Sequence, residues 1–126
     1  MKSKYCIGVD LGGTNIAVGL VDLESKKILK QHSVKTNAPR SCEAISQDIA
    51  AISRKLCSLE GITMSDLCWI GVAAPGIVKD GLVVSAVNLG WVNEPFCKIF
   101  SEITGVASYL SNDANAAAYA EALWGI

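Results

Sequence analysis

The most restrictive feature of the chain is the stretch Tyr5–Val21, YCIGVDLGGTNIAVGLV, in which an apolar run ends in an acid. Gly12, Gly13 and Thr14 then turn the chain, and a second apolar run follows at once. This order predicts a β-hairpin with Asp10, Gly12, Gly13 and Thr14 at its tip. Adjacent glycines let backbone N–H groups close on an anion with no Cβ in the way, and a threonine adds a hydroxyl donor. A lone carboxylate beside them can hold a hydrated Mg²⁺ that bridges phosphate oxygens. The same residues would also serve a plain turn, the glycines supplying backbone geometry and Asp10 standing in solvent.

At 126 residues the chain is long enough to bury one core. Half of its residues are hydrophobic and its formal net charge is -1, which describes a soluble globular domain and excludes an electrostatic nucleic-acid binder. The start, MKSKYCIGVD, turns polar or acidic too soon for a signal-peptide core, and no apolar stretch approaches the ~20 residues of a membrane span. The expected compartment is the cytoplasm, with no membrane partner. Cys6, Cys42, Cys57, Cys68 and Cys97 are widely spaced without a CxxC pair, and His32 is the single histidine. Neither a disulfide frame nor a zinc site is expected, and all five read as buried thiols.

Further along, Asn15–Val21 and Ile28–Val34 read as the second and third strands of an antiparallel meander. After the break around Pro39, Ile45, Ile49, Ile52, Leu56 and Leu59 recur at intervals of three and four, which predicts a helix over Cys42–Leu59 ended by Gly61. Leu67–Ala74, LCWIGVAA, has no polar face and is expected as a mid-sheet strand, stopped by Pro75-Gly76. Ile77–Ala86 predicts a small hairpin turning at Lys79-Asp80-Gly81. An irregular segment, Asn88-Leu89-Gly90-Trp91, follows. Asn93 is expected to cap a short helix that carries Pro95 in its first turn and Phe96, Ile99, Phe100 and Ile103 on one face. Val106–Ser111 reads as the last strand, and Asp113 as the cap of an Ala-rich helix running to about Trp124.

With the first, fourth and last strands parallel neighbours, Asp10, Pro75-Gly76 and Asn112-Asp113 all stand at strand carboxyl ends, the edge where ligands bind in open α/β sheets. Asp113 has two readings. It can be a helix cap worth ~1 kcal/mol, or a carboxylate kept ionised by the helix dipole and ready to accept a proton from an alcohol. Asn88 reads equally as a turn residue or as a hydrogen-bonding partner for sugar hydroxyls, while Trp91 reads as a core anchor.

The phrases DLGGTNIAVGLVD, GVAAPGIV, NLGW and SNDANAAAYAE, in this order along the chain, resemble the amino-terminal domain of the ROK family of repressors and bacterial sugar kinases, glucokinase among them. The resemblance implies an α/β, actin-like (ribonuclease H-like) domain. Its mixed five-stranded sheet has order 3-2-1-4-5, strands 1–3 antiparallel, helices on both faces and a small β-hairpin insertion. It also implies ATP-dependent, Mg²⁺-assisted phosphorylation of a hexose hydroxyl, with glucose and its 6-position the family's commonest case. Asp10, Gly12, Gly13 and Thr14 are then expected on the ATP phosphates, with Asp10 on Mg²⁺ through water. Pro75, Gly76, Asn88, Asn112 and Asp113 are expected on the sugar, with Asp113 as the catalytic general base.

Such kinases carry a second, larger domain with a Glu-x-Gly-His motif, a Cys-rich zinc motif and adenosine-binding glycines. None of these occurs here. Residues 1–126 are therefore expected to be the small domain of a two-domain sugar kinase, inactive alone and homo-oligomeric at full length. Two alternatives remain: a sugar-sensing ROK regulator domain, and a non-kinase actin-like ATPase domain. The hairpin begins at Tyr5, so no winged helix is expected ahead of it, which favours the kinase.

Overall fold

The computed structural model describes residues 4–112. Its first sheet is built from β1 (Tyr5–Leu11), β2 (Asn15–Asp22), β3 (Lys27–Lys35), β4 (Leu67–Ala74) and β8 (Ser108–Asn112), in the order β3-β2-β1-β4-β8. β1 runs antiparallel to β2 and parallel to β4, and β4 runs parallel to β8. Short connections force the antiparallel pairs, and the helix-bearing crossovers allow the parallel ones. β4 lies inside the sheet, and its apolar run is buried over most of its length, as its lack of a polar face requires.

Helix α1 (Cys42–Leu59) starts where Ser41 accepts a hydrogen bond from the Ala44 N–H at 3.0 Å. Removing such a cap costs about 1 kcal/mol. Its buried stripe includes Ile45, Ile49, Ile52 and Leu56. Leu59, expected on that stripe, is instead 60% exposed. The helix ends in a Schellman turn with Gly61 at φ 72, its N–H on the Ser58 carbonyl and the Ile62 N–H on the Cys57 carbonyl. That turn swings Ile62 back onto the core.

α2 (Phe96–Thr104) packs against α1 and β8, so the two described helices share one face of the sheet. Phe96 and Phe100 stack with ring centroids 5.1 Å apart, and Trp91 meets Phe96 at 6.1 Å. The helix expected after Asn112 falls outside the described residues.

A second, three-stranded sheet stands beside the first: β5 (Ile77–Lys79), β6 (Leu82–Ala86) and β7 (Trp91–Glu94). The β5–β6 turn has Asp80 at φ 52 and Gly81 at φ 79, the paired positive angles of a tight hairpin turn. β7 corrects two expectations. Trp91 begins a strand rather than an irregular segment, and Asn93 sits within that strand at φ 51 instead of capping a helix. α2 begins one residue after Pro95, whose fixed φ suits the helix entrance.

Cys6, Cys42 and Cys57 are buried, whereas Cys68 and Cys97 are only partly so. Burial pushes the Cys42 thiol up to about 11 from 9.0. An unfolded chain releases this proton first, so the stability carried by the neutral thiol is whole below 9.0 and lost as pH climbs toward 11. The stability advantage of the wild type over Cys42→Ala should therefore narrow across that interval, as read by urea unfolding. In native protein, Cys42 should be alkylated more slowly than Cys68, as read by mass spectrometry.

Among the described residues no helix is long and apolar enough to cross a membrane.

Candidate functional site

Asp10 is the penultimate residue of β1, flanked by Ala17 of β2 and Ala73 of β4, and it is exposed. The row below it holds Gly19, Gly8 and Gly71 side by side on three strands, so the sheet surface beneath the carboxylate is low. An open depression of about 480 Å³ borders it, with Gly8, Ala17 and Gly19 in its lining.

The turn beyond Asp10 is closed by the Gly12 N–H donating to the Asn15 carbonyl at 2.9 Å. It is held from behind by Thr36, which is fully buried. The Thr36 hydroxyl donates to the Gly12 carbonyl at 2.7 Å, and the Thr36 N–H donates to the Thr14 carbonyl at 2.9 Å. The opposite side of the turn is accessible: Gly12 and Gly13 are partly exposed and Thr14 is exposed. Nothing in the residues around Thr36 marks this role, because its partners lie in a distant part of the chain.

The second loop follows β4. Pro75-Gly76 leaves the strand with Gly76 at φ 82, its backbone pressed against the Ser85 carbonyl, and the chain returns through β6 into a 3₁₀ turn over Val87–Leu89. Asn88 in that turn is exposed and lies directly on the first loop. A Cβ placed on Gly13 would stand 2.7 Å from the Asn88 Cβ. Trp91, read as a core anchor, is 3% exposed and donates its indole N–H to the Arg40 carbonyl at 2.7 Å.

Arg40 in turn donates to the Thr36 carbonyl at 3.2 Å and to Asp48 at 2.7 Å. The hydrogen bond it donates to Asp48 raises the Arg40 pKa still further, so the guanidinium is permanently charged. Gly90 packs against Pro39, where a Cβ would meet the proline ring at 3.0 Å. Both loops are therefore fastened to one segment, Thr36–Arg40.

Asn112 ends β8 beside Ala74. Successive residues of a strand point to opposite faces, so Asp10, beside Ala73, and Asn112, beside Ala74, leave the same rim from opposite faces. Of the residues singled out in the sequence, Asp10, Gly12, Gly13, Thr14, Pro75, Gly76, Asn88 and Asn112 all stand at or next to this edge. Asp113 lies outside the described residues.

Among the described residues no group of three or more His, Cys, Asp or Glu could hold a metal ion. A single exposed carboxylate does fit Mg²⁺, which keeps most of its waters and takes few protein ligands. The turn fits phosphate. With the Gly12 carbonyl tied to Thr36, the trans peptide sends the Gly13 N–H the other way, toward the accessible side. Among the described residues nothing accepts from that N–H.

The ROK family model matches residues 6–126. A glucokinase from Halalkalibacterium halodurans is 32% identical over 126 residues, an alignment covering 98% of this chain and 38% of that protein. A xylose repressor from Bacillus spizizenii is 33% identical, covering 98% of this chain and 32% of the repressor. The crystal structure of a ROK family glucokinase from Streptomyces griseus in complex with glucose and AMPPNP superposes with a TM-score of 0.78 at 37% identity. It covers 97% of this chain and 37% of that one. The chain thus spans well under half the length of these relatives, and its strand order is that of an actin-like sugar-kinase domain.

Proposed function

The chain belongs to the ROK family, and on that premise we propose that it forms one wall of the cleft of a two-domain, ATP-dependent hexose kinase. The observation that carries this reading is the contact between Gly13 and Asn88. It sets a phosphate-type turn against a loop suited to sugar hydroxyls, so phosphoryl donor and acceptor would be neighbours. Gly12, Gly13 and Thr14 receive the ATP phosphates, and Asp10 holds Mg²⁺ through water. Pro75, Gly76, Asn88 and Asn112 receive the hexose. Mg²⁺ when bound neutralises charge on the phosphate oxygens.

In the reaction a sugar hydroxyl oxygen bonds to the γ-phosphorus, the bond from that phosphorus to the bridging oxygen of ADP breaks, and the hydroxyl proton passes to the Asp113 carboxylate. Phosphoryl transfer through a loose transition state asks chiefly for orientation and late proton removal, which a weak base supplies. Glucose at its 6-hydroxyl is the proposed substrate, by analogy with the glucokinase relatives.

The match to a xylose repressor supports a second reading, a domain that binds sugar without turnover. A coupled assay for ADP on the full-length protein, with Mg²⁺, ATP and a panel of hexoses, separates the two. The kinase reading expects ADP release that requires both ATP and sugar, and little or none from residues 1–126 alone. Sugar that raises the melting temperature yet elicits no ADP favours the regulator.

A further inference from the structure

We propose that Thr36 is the positioning residue that aims the Gly13 N–H at the nucleotide phosphates. The inference deepens the kinase reading and rests on it for the identity of the ligand. Thr36 is fully buried, so it touches no substrate and acts only through the turn. Its hydroxyl fixes the Gly12 carbonyl at 2.7 Å and its N–H fixes the Thr14 carbonyl at 2.9 Å. Two carbonyls on either side of Gly13 are thus both drawn to the rear of the turn.

That matters because a Gly-Gly peptide is the easiest in any chain to flip, since glycine populates positive and negative φ about equally. A flip of the Gly12–Gly13 peptide would replace a donor by a carbonyl oxygen on the side where an anion must sit, turning an attraction into a repulsion. The Thr36 hydroxyl opposes the flip by giving the carbonyl a partner in a buried setting, where an unmade hydrogen bond is costly. A hydroxyl is required, not bulk. The carbonyl of the same residue is tied to Arg40, so the hydroxyl is also held in place from behind.

The test compares Thr36→Val, which keeps the shape and removes the donor, with Thr36→Ser, which restores the donor. In the full-length protein Thr36→Val should raise KM for ATP about tenfold, the loss expected for one charge-assisted hydrogen bond, and change KM for sugar by less than about twofold. Thr36→Ser should return KM for ATP to within about twofold of wild type. A Thr36→Val protein that melts at lower temperature with both KM values unchanged would mean a purely structural threonine and overturn the proposal.

A second readout is independent of catalysis and of the variant's folding. Inorganic tripolyphosphate added to isotopically labelled wild-type protein should shift the Gly13 amide resonance, and an amide that stays put overturns the proposal. If the wild type phosphorylates no sugar while tripolyphosphate still moves Gly13 in wild type and Thr36→Ser but not in Thr36→Val, the kinase reading fails and the positioning role stands.

Discussion

Gly13→Ala in the full-length protein should lower sugar-dependent turnover by about a hundredfold, with a fold that remains intact. The new methyl would stand 2.7 Å from the Asn88 Cβ and 3.5 Å from its amide carbon and nitrogen. Carbon atoms at rest keep roughly 3.5–4.0 Å apart, so one of the two loops must give way by about 1 Å. Asn88 is on a short 3₁₀ turn and exposed, which makes it the partner that moves. Displacement on that scale at a reacting centre costs about two orders of magnitude in rate, whereas the fold has only to accommodate a local shift of an exposed turn. Steady-state kinetics with paired thermal melts is the measurement. Full activity in Gly13→Ala would show that the spacing of the two loops does not set the geometry of transfer.

Gly76→Ala is expected to destabilise the fold strongly. Gly76 has φ 82, where an L side chain is strained, and its methyl would be driven into the Ser85 carbonyl and within 3.1 Å of the Ala86 Cα. The obstacle is backbone on both counts, so no rotamer relieves it. Left-handed strain of about 1–2 kcal/mol and overpacking of about 1–3 kcal/mol together give about 3 kcal/mol. For a domain of this size that lowers Tm by more than roughly 10 °C. Gly61→Ala is the control: its φ is 72 and nothing lies within 4 Å of the added methyl. It should cost only the conformational part, about 1–2 kcal/mol, and the difference between the two variants in urea melts isolates the collision. Equal losses would remove the collision from the account.

Much of this architecture is legible in the sequence because local signals agree with the final packing. The meander, α1 over Cys42–Leu59 and β4 over Leu67–Ala74 each combine a clear period with a clear stop. The Lys79-Asp80-Gly81 turn is equally plain, since its chemistry demands the positive φ values it adopts. The misses have long-range causes. β7 escapes notice because WVNE followed by proline looks like a helix entrance, and only pairing with β6 makes it a strand. Leu59 keeps the helical period but stands exposed at the last turn, while Ile62 beyond the turn packs on the core.

At the site, residue types announce Asp10, Gly12, Gly13 and Thr14, and the topology carries Asn88 and Asn112 to the same edge. Thr36 is invisible from the sequence. A threonine in a polar stretch has many uses, and its contacts to Gly12 and Thr14 exist only once β2 and β3 have paired. The contact of Gly13 with Asn88 is of the same kind: no spacing rule links them, and only the folded chain brings them together.

The fastening of both loops to Thr36–Arg40 has a mechanical outcome. The turn reaches this segment through the Thr36 hydrogen bonds, and the Asn88 loop reaches it through the Trp91 indole and the Gly90–Pro39 contact. A large excursion of either loop would have to break these shared contacts, so this half of the molecule behaves as an anvil. Whatever swings during a catalytic cycle must hinge outside it, and a fluorophore pair placed on the two loops should keep its separation as ligands come and go.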